Sequence, residues 1–317
     1  MFLDQKGRIR QVDCMQGKEK IMAEYIISNE YVKAGFCAKG AELVQLQNLA
    51  NGADYLWSGD PAYWNRVSPV LFPFVGKLQD QRYQYEGQWY EGIGQHAFAR
   101  DQQFELLKKS NEEIWFVLND NEETRKIYPF AFSLHIGYRL EKKRLHVMWK
   151  VVNRGEKLYF SIGAHPAFLC PRSGSQEQSM DGYSIDLGLQ QPMIRSGILT
   201  DKGVLGERTK DLKLTDGALW LTEQLFDEDA LILDGEQIHS AVLRDPSGQA
   251  YLKMEFNAPL LGIWSPAGKH APFVCIEPWY GRCDREGFEG TLQEREYGNE
   301  LSEDAVFERE YTIEILD

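Results

Sequence analysis

Two residues of this chain could transfer protons, and each stands directly before a proline. His165 lies in the sequence IGAHPAF and Glu277 in CIEPWYG. A residue before proline is biased toward extended backbone, so we expect both side chains to project from strands or strand ends. Near neutral pH an imidazole with a pKa of ~6.5 can donate a proton, and a carboxylate with a pKa of ~4.3 can accept one. Together they supply what general acid–base catalysis requires.

The surroundings of these two residues predict a pocket for a small molecule. Alternate residues on a strand share a face, so the small Gly163 faces the same way as His165 and should leave room for a ligand above the sheet. Trp264, in LGIWSP, lies upstream of Glu277. Two further aromatic residues come directly after the proline that follows Glu277. Apolar walls with a few placed polar groups are typical of small-molecule sites. Aromatic rings beside carboxylates would suit a sugar, because its C–H face can lie on a ring.

A third group of candidate residues lies between positions 66 and 100. Lys77, His96 and Arg100 occur there, and three residues separate the last two in a glycine-rich stretch. A loop could therefore turn both toward one ligand, and Arg66 is a fourth cationic candidate. The competing interpretation is that these are ordinary surface or packing residues, as lone histidines and lysines often are.

Composition and motifs exclude several classes of protein. A formal net charge of -13 argues against nucleic-acid binding, which needs a basic face. No stretch approaches the ~20 apolar residues of a membrane span, and the N-terminus lacks the apolar core of a signal peptide. Five widely spaced cysteines without a CxxC pair predict reduced thiols in the cytoplasm. Without HxH, HExxH, GxGxxG or P-loop motifs, no metal and no nucleotide cofactor are predicted.

Period-2 alternation of apolar residues predicts an all-β fold. Residues 132–140 and 145–151 alternate on either side of a charged turn, as expected for two half-buried antiparallel strands. The sequence DPSG at 245–248 predicts another turn between strands. A helical turn near DPAYWNR is compatible with the sequence, but no longer helix is predicted. We expect one large antiparallel β-sandwich domain over residues 23–317, preceded by a polar extension at 1–22.

The motifs, taken in order, resemble those of the aldose 1-epimerase (mutarotase) family. They are NRVSPVLFPFVGKL, QHAFARD, YFSIGAHPAF, FDEDALIL, LGIWS and FVCIEPWYG. The resemblance covers residues 23 to 317 and is strongest to the bacterial branch with an HGFARD-like segment. It implies a galactose mutarotase-like β-supersandwich. It also implies interconversion of the α and β anomers of a free hexose of the glucose or galactose type, without a cofactor.

The resemblance also implies roles for individual residues. Glu277 matches the family's general base, His165 its general acid, and His96 a second histidine that positions the substrate. Asp229, in the looser EDALIL motif, matches the acidic residue that holds sugar hydroxyls. Lys77 stands where many members have an arginine, so the bidentate geometry of a guanidinium is lost.

A second departure is Ala97, which replaces the glycine usual after His96 and narrows the range of backbone conformations open to that loop.

Three alternative functions stay open from the sequence. Lys77, Arg66 and Arg100 could bind the phosphate of a hexose 6-phosphate. The chain could be a non-catalytic sugar-binding or regulatory protein on the same fold. It could also be a glycosidase that uses Glu277 and Asp229 as its two carboxylates.

Overall fold

A computed structural model describes residues 22–235 and 238–317 of the chain. Strands make up 47% of it and helices 6%. In chain order the strands are β1 Tyr25–Ser28, β2 Val32–Phe36, β3 Leu43–Asn48, β4 Val70–Leu71, β5 Arg82–Tyr85, β6 Gln88–Glu91, β7 Glu105–Lys109, β8 Glu113–Asn119, β9 Phe132–Glu141, β10 Arg144–Asn153, β11 Lys157–Phe160, β12 Ile162–Ala164, β13 Ala167–Leu169, β14 Ser184–Asp186, β15 Met193–Leu199, β16 Leu205–Lys213, β17 Ala218–Trp220, β18 Leu231–Asp234, β19 Ser240–Arg244, β20 Ala250–Phe256, β21 Leu260–Trp264, β22 Phe273–Tyr280, β23 Asn299–Ser302 and β24 Val306–Ile315. The helix α1 is Glu122–Ile127, and short 3₁₀ turns occur at Gln79–Gln81, Ala99–Asp101, Glu223–Phe226 and Leu292–Glu294.

Two large sheets dominate this arrangement. One has nine strands in the order β17-β14-β19-β20-β24-β10-β9-β8-β7. The other has eight strands, β16-β15-β18-β21-β22-β12-β4 with β13 paired to β22. Smaller sheets are formed by β1-β2-β3, β5-β6 and β11-β23. Pairing within both large sheets is antiparallel, so the predicted all-β, antiparallel sandwich is confirmed.

The predicted hairpins are present because their signals are local. β9 and β10 pair antiparallel over their whole length and are joined by two residues, of which Lys142 has a φ of 54°. The DPSG turn joins β19 to β20, and the Asp245 carboxylate accepts the N–H groups of Ser247 and Gln249. Alternation and turn chemistry therefore predicted these strands and the turns between them correctly.

The helix α1 was not predicted. Asn121 caps it, accepting the N–H of Thr124 at 2.9 Å, while Thr124 Oγ1 accepts the Asn121 N–H in return. Six residues are too few to produce a recognisable helical period. Near DPAYWNR the chain makes only a turn, in which the Trp64 N–H donates to the Asp60 carbonyl at 3.0 Å.

The strand β22 is buried along its whole length, and its two faces serve different parts of the molecule. Val274, Ile276 and Tyr280 belong to the main core between the large sheets, where Tyr280 meets the Trp149 ring of β10 at 6.2 Å. Cys275 and Glu277 point to the opposite side. Glu277 therefore lies on the outer face of the eight-stranded sheet, away from the sandwich core.

Several predictions concern the chain ends and the cysteines. The polar extension at 1–22 falls almost entirely outside the described residues and stays a prediction. Among those residues, no helix is both long enough and apolar enough to cross a membrane. Cys170, Cys275 and Cys283 are free and buried, as expected. Cys37 is disulfide-bonded, so the expectation of reduced thiols is wrong there, because sequence spacing does not show which thiols meet in space.

Candidate active site

A cavity of about 240 Å³ lies on the outer face of the eight-stranded sheet. Its wall combines three tryptophans and several small or aliphatic residues with six polar or charged side chains. The lining residues are Trp64, Val75, Gly76, Gln95, His96, Arg100, His165, Leu199, Gly203, Asp229, Ala230, Ile232, Trp264, Glu277, Trp279 and Cys283. Six of the seven predicted site residues therefore surround one space, although they come from segments far apart in the chain.

His165 and Glu277 face each other inside this cavity. Glu277 projects from β22, and His165 lies in the break between β12 and β13, made by the following Pro166. His165 Nδ1 is 3.4 Å from Glu277 Oε1, and the exposed fractions of the two residues are 8% and 1%. Among the described residues neither carboxylate oxygen of Glu277 has a hydrogen-bond partner of regular geometry. Buried polar groups normally have partners, so this pair is arranged for a molecule that supplies them.

Burial moves the pKa values of the two groups in opposite directions. Desolvation raises the pKa of Glu277 well above its ordinary value, the nearby Trp279 indole opposes this shift, and the charge of Asp229 adds to it. Desolvation and the positive charges of Arg100 and Arg66 lower the pKa of His165 to about 3. Burial therefore favours the neutral form of both groups.

His96 is held in a strained loop beside His165. Its φ is 64° and that of Ala97 is 51°, so two consecutive residues other than glycine adopt left-handed backbone. The Gly76 N–H donates to His96 Nδ1 at 3.0 Å, and the His96 N–H donates to the Gly76 carbonyl at 2.8 Å. The acceptor role of Nδ1 leaves the ring proton on Nε2. Burial and the neighbouring His165 keep the pKa of His96 well below its usual value, so this ring is a neutral donor.

Two tryptophans enclose the His165 imidazole. The Trp64 ring stacks on it with centroids 4.8 Å apart and planes inclined by 29°, and Trp264 meets it edge-on at 5.5 Å. Trp264 was predicted from its position upstream of Glu277, whereas Trp64 was missed. The only sequence signal for Trp64 was an aromatic residue close to Arg66, and that does not indicate a contact about a hundred residues away.

The space above Gly163 differs from the prediction. The Trp279 indole fills it, since a Cβ added at Gly163 would lie 2.6 Å from Trp279 Cδ1. On the other side of β22, a Cβ at Gly262 would lie 2.3 Å from Trp279 Cζ2. The two glycines thus accommodate the indole beside Glu277, and the ligand space lies beyond this ring rather than directly above the sheet.

The predicted cations occupy unequal positions. Arg100 lines the cavity and donates from Nη2 to the Gln95 carbonyl at 2.7 Å. Arg66 donates to Asp101 Oδ1 at 2.9 Å and lies outside the lining. Lys77 is also outside the lining, and its side chain lies against Gly203, which is part of it.

Asp229 stands at the rim, exposed, with a φ of 71°. Its Oδ1 accepts the N–H of Ala230 at 2.9 Å. The second carboxylate oxygen takes no part in this turn. It lies at the cavity mouth, where hydroxyl groups of a ligand could reach it.

One group of side chains could hold a metal ion, although no metal motif was found in the sequence. The ligand atoms of His165, Cys275 and Glu277 lie within 4.8 Å of one another, and all three residues are buried. The set includes both proposed proton-transfer groups. An ion held there would therefore occupy the same side chains that are proposed to transfer protons.

Comparison with known proteins places this geometry in a family. Residues 24–286 match the family model for aldose 1-epimerase. The chain belongs to the aldose 1-epimerase family. It is 31% identical over 264 residues to the chromosomal protein LacX of Lactococcus lactis subsp. lactis, with 80% of this chain and 87% of that protein covered.

Structural comparison agrees with this assignment. A galactose mutarotase related enzyme from Lactobacillus acidophilus superimposes with a TM-score of 0.85 at 32% identity, over 92% of this chain and 97% of that one. The expected galactose mutarotase-like fold is confirmed. A candidate glucose-6-phosphate 1-epimerase of Escherichia coli (strain K12) is 29% identical over 128 residues, which cover 37% of this chain and 40% of that protein. As a family member, the chain is a sugar epimerase.

Proposed function

We propose that this aldose 1-epimerase family member interconverts the α and β anomers of a free hexose of the glucose or galactose type. The observation that carries the proposal is the buried pair of His165 and Glu277, 3.4 Å apart and facing one cavity. One acid and one base on a single sugar ring are sufficient for ring opening and closure. The cavity volume of about 240 Å³ is below the roughly 300–1,000 Å³ of drug-sized ligand sites, which suits one sugar ring.

The proposed reaction moves one proton at each end of the breaking bond. Glu277 accepts the proton of the anomeric hydroxyl while His165 donates one to the ring oxygen, and the C1–O5 bond breaks. Rotation about C1–C2 turns the aldehyde, and the reverse transfers close the ring on its other face. The reaction needs Glu277 ionised and His165 protonated, so the pair must hold one proton in total. Because burial favours the neutral form of each group, contacts with the bound sugar must stabilise this charged arrangement.

The remaining lining residues are proposed to orient the sugar. The neutral His96 donates from Nε2, and Asp229 accepts from hydroxyls at the rim. Trp64 and Trp264 fix the His165 ring between them and offer apolar surface to C–H groups. General acid–base groups each contribute roughly 10²–10⁴-fold in typical enzymes. Two of them, held in place, are adequate for a reaction that also proceeds slowly in water.

The charges of the cavity favour a neutral sugar over a sugar phosphate. Of its described lining residues, Arg100 is the one Lys or Arg side chain, and two carboxylates, Glu277 and Asp229, share the space with it. Arg66 is already paired with Asp101. A phosphate dianion needs several converging cations, so epimerisation of a hexose 6-phosphate is the second candidate function. It is supported by the partial similarity to the Escherichia coli protein and by Lys77 near the rim.

Polarimetry of freshly dissolved α-D-glucose and α-D-galactose tests the proposal. The wild-type protein should accelerate mutarotation, and Glu277→Gln should lower kcat by about 10²–10⁴-fold, because an amide keeps the shape but cannot accept the proton. Glu303→Gln, an exposed carboxylate in the turn before β24, is the matched control and should retain full activity. Mutarotation by Glu277→Gln at the wild-type rate would remove Glu277 from the mechanism.

The same assay separates the two substrate classes. With a free hexose, Lys77→Ala should change KM by less than about tenfold, because Lys77 lies outside the cavity lining and makes no charged hydrogen bond of roughly 1.5–3 kcal/mol to the sugar. With glucose 6-phosphate as substrate, a strong loss in Lys77→Ala at low salt, reduced at high salt, would instead support the phosphate reading. Catalysis of neither sugar by the wild-type protein would favour a non-catalytic sugar-binding role.

A further inference from the structure

Glu42 is a buried carboxylate that takes no part in the proposed chemistry. It directly precedes β3, is 9% exposed, and does not line the cavity. Its Oε1 accepts two consecutive backbone N–H groups, those of Val67 and Ser68, each at 2.8 Å. Burying a carboxylate is costly unless its hydrogen bonds are supplied. Here they come from a segment that lies outside the strands.

That segment, residues 64–68, leads directly to the cavity. Trp64 at its start stacks on His165, and Arg66 pairs with Asp101 at 2.9 Å. The Val67 carbonyl accepts the N–H of Ala167 at 2.9 Å, two residues after His165. The segment therefore contacts His165 in two ways, through the ring that covers its face and through the backbone that follows it.

The two ends of the segment are anchored differently. The Trp57 indole N–H donates to the Trp64 carbonyl at 2.9 Å and fixes the first end. Glu42 fixes the other end by holding the N–H groups of Val67 and Ser68. Without this carboxylate, two buried N–H groups would lose their acceptor, and the chain between Arg66 and Ser68 would have to move to find another.

We propose that Glu42 is a positioning residue that aims the His165 imidazole at Glu277. It acts through residues 64–68, holding both the Trp64 ring and the Val67 carbonyl that binds Ala167. This inference rests on the proposed function, in which His165 must meet both Glu277 and the sugar ring oxygen. A misplacement of about 1 Å can reduce turnover on the order of 10²-fold, so an anchor of this kind has a measurable effect.

Two substitutions of Glu42 and one control at another buried carboxylate test the proposal. Glu42→Leu removes the acceptor, whereas Glu42→Gln keeps an Oε1 that can accept both N–H groups. Asp245→Asn is the control, because Asp245 is equally buried and also accepts backbone N–H groups, in the turn between β19 and β20. We expect Glu42→Leu to lower kcat on the order of 10²-fold with little change in KM. Glu42→Gln and Asp245→Asn should retain wild-type kcat.

A second readout does not depend on activity. Imidazole ¹⁵N spectra of the folded proteins, with the His165 signal assigned by its absence in His165→Gln, should show that signal displaced in Glu42→Leu. It should be unmoved in Glu42→Gln and in Asp245→Asn. If Glu42→Leu does not fold, Glu42→Asp, whose carboxylate is one methylene too short to reach both N–H groups, takes its place with the same expectations.

The two proposals fail in different ways. A wild-type protein that does not catalyse mutarotation would overturn the proposed function, while the His165 signal would still decide the role of Glu42. A folded Glu42→Leu protein with wild-type kcat and an unmoved His165 signal would overturn the positioning role. An equal loss of kcat in Asp245→Asn would do the same, because it would show only a general sensitivity to buried carboxylates.

Discussion

His165 Nδ1 lies 3.4 Å from Glu277 Oε1, and burial favours the neutral form of each partner. The pair can hold no proton, one proton or two protons. Only with one proton does it contain both an acid and a base. Because each proton gained or lost belongs to the pair, the pH dependence of the rate should report the pair as a unit.

We expect the activity profile to be bell-shaped with a wide plateau. As pH falls toward about 3, His165 is protonated, the pair then holds two protons, and the rate falls because no base is left. As pH rises through the raised pKa of Glu277, the pair loses its single proton and the rate falls again. The plateau should thus persist well below pH 6. Measurement of kcat/KM by polarimetry from pH 3.5 to 9, with tryptophan fluorescence as a control for unfolding, checks this, and an acid limb centred near pH 6.5 would contradict it.

Glu277→Gln should make the protein more stable at neutral pH. The folded pKa of this carboxyl is raised, so the unfolded state ionises first as pH rises above about 4.3, and this favours unfolding. Each unit by which the folded pKa is displaced changes the free energy of unfolding by about 1.4 kcal/mol. In a chain of this size, each kcal/mol changes Tm by roughly 2 °C. Melting curves should show a higher Tm than wild type at pH 8 and no difference at pH 4. An unchanged Tm at both pH values would mean that ionisation of Glu277 does not destabilise the folded protein.

Replacement of Trp64 should lower turnover without abolishing it. Trp64→Ala removes the ring that stacks on His165, and aromatic contacts of this kind contribute about 0.5–1.5 kcal/mol. We therefore expect kcat/KM to fall by up to roughly 10-fold, and Trp64→Phe to retain most of the activity. Trp89→Ala, at an exposed tryptophan on β6, is the control. A Trp64→Ala protein as active as the control would show that the stacking does not hold His165.

Gly262→Ala should disturb Glu277 through Trp279. The added Cβ would lie 2.3 Å from the indole, which must then move away from the carboxylate, and overpacking of this kind costs about 1–3 kcal/mol of stability. Both Tm and kcat should fall. Gly155→Ala, whose nearest neighbour would be at 3.6 Å, should change neither. Combining Gly262→Ala with Trp279→Phe should restore most of the lost Tm, and failure to do so would place the strain elsewhere.

Chelators should leave mutarotation unchanged. The proposed chemistry requires only proton transfer, even though His165, Cys275 and Glu277 could together bind an ion. Activity should be equal before and after dialysis against EDTA, with metal content measured on the same samples. Loss of activity that a divalent ion restores would show that these three side chains hold a required metal.

Local patterns explain most of what the sequence could predict. The β9–β10 hairpin follows from alternation within about twenty residues, and His165 and Glu277 stand in short motifs that include the proline after them. The contact of Trp64 with His165 and the anchor at Glu42 join segments far apart in the chain, so no local pattern reveals them. Gly163 was expected to open space for a ligand, because sequence alone does not show that the Trp279 indole occupies that space.

The division of β22 into two faces has a consequence for how the protein can change. Its even-numbered positions, such as Ile276, lie within the main core, whereas Glu277 lines the cavity and Cys275, on the same face, lies close to it. Substitutions at alternate positions of a single strand should therefore act on different properties, folding on one side and catalysis on the other. A library that keeps Glu277 and the even-numbered positions of β22 and varies the loops around the cavity could explore new sugars while the sandwich that supports them stays intact.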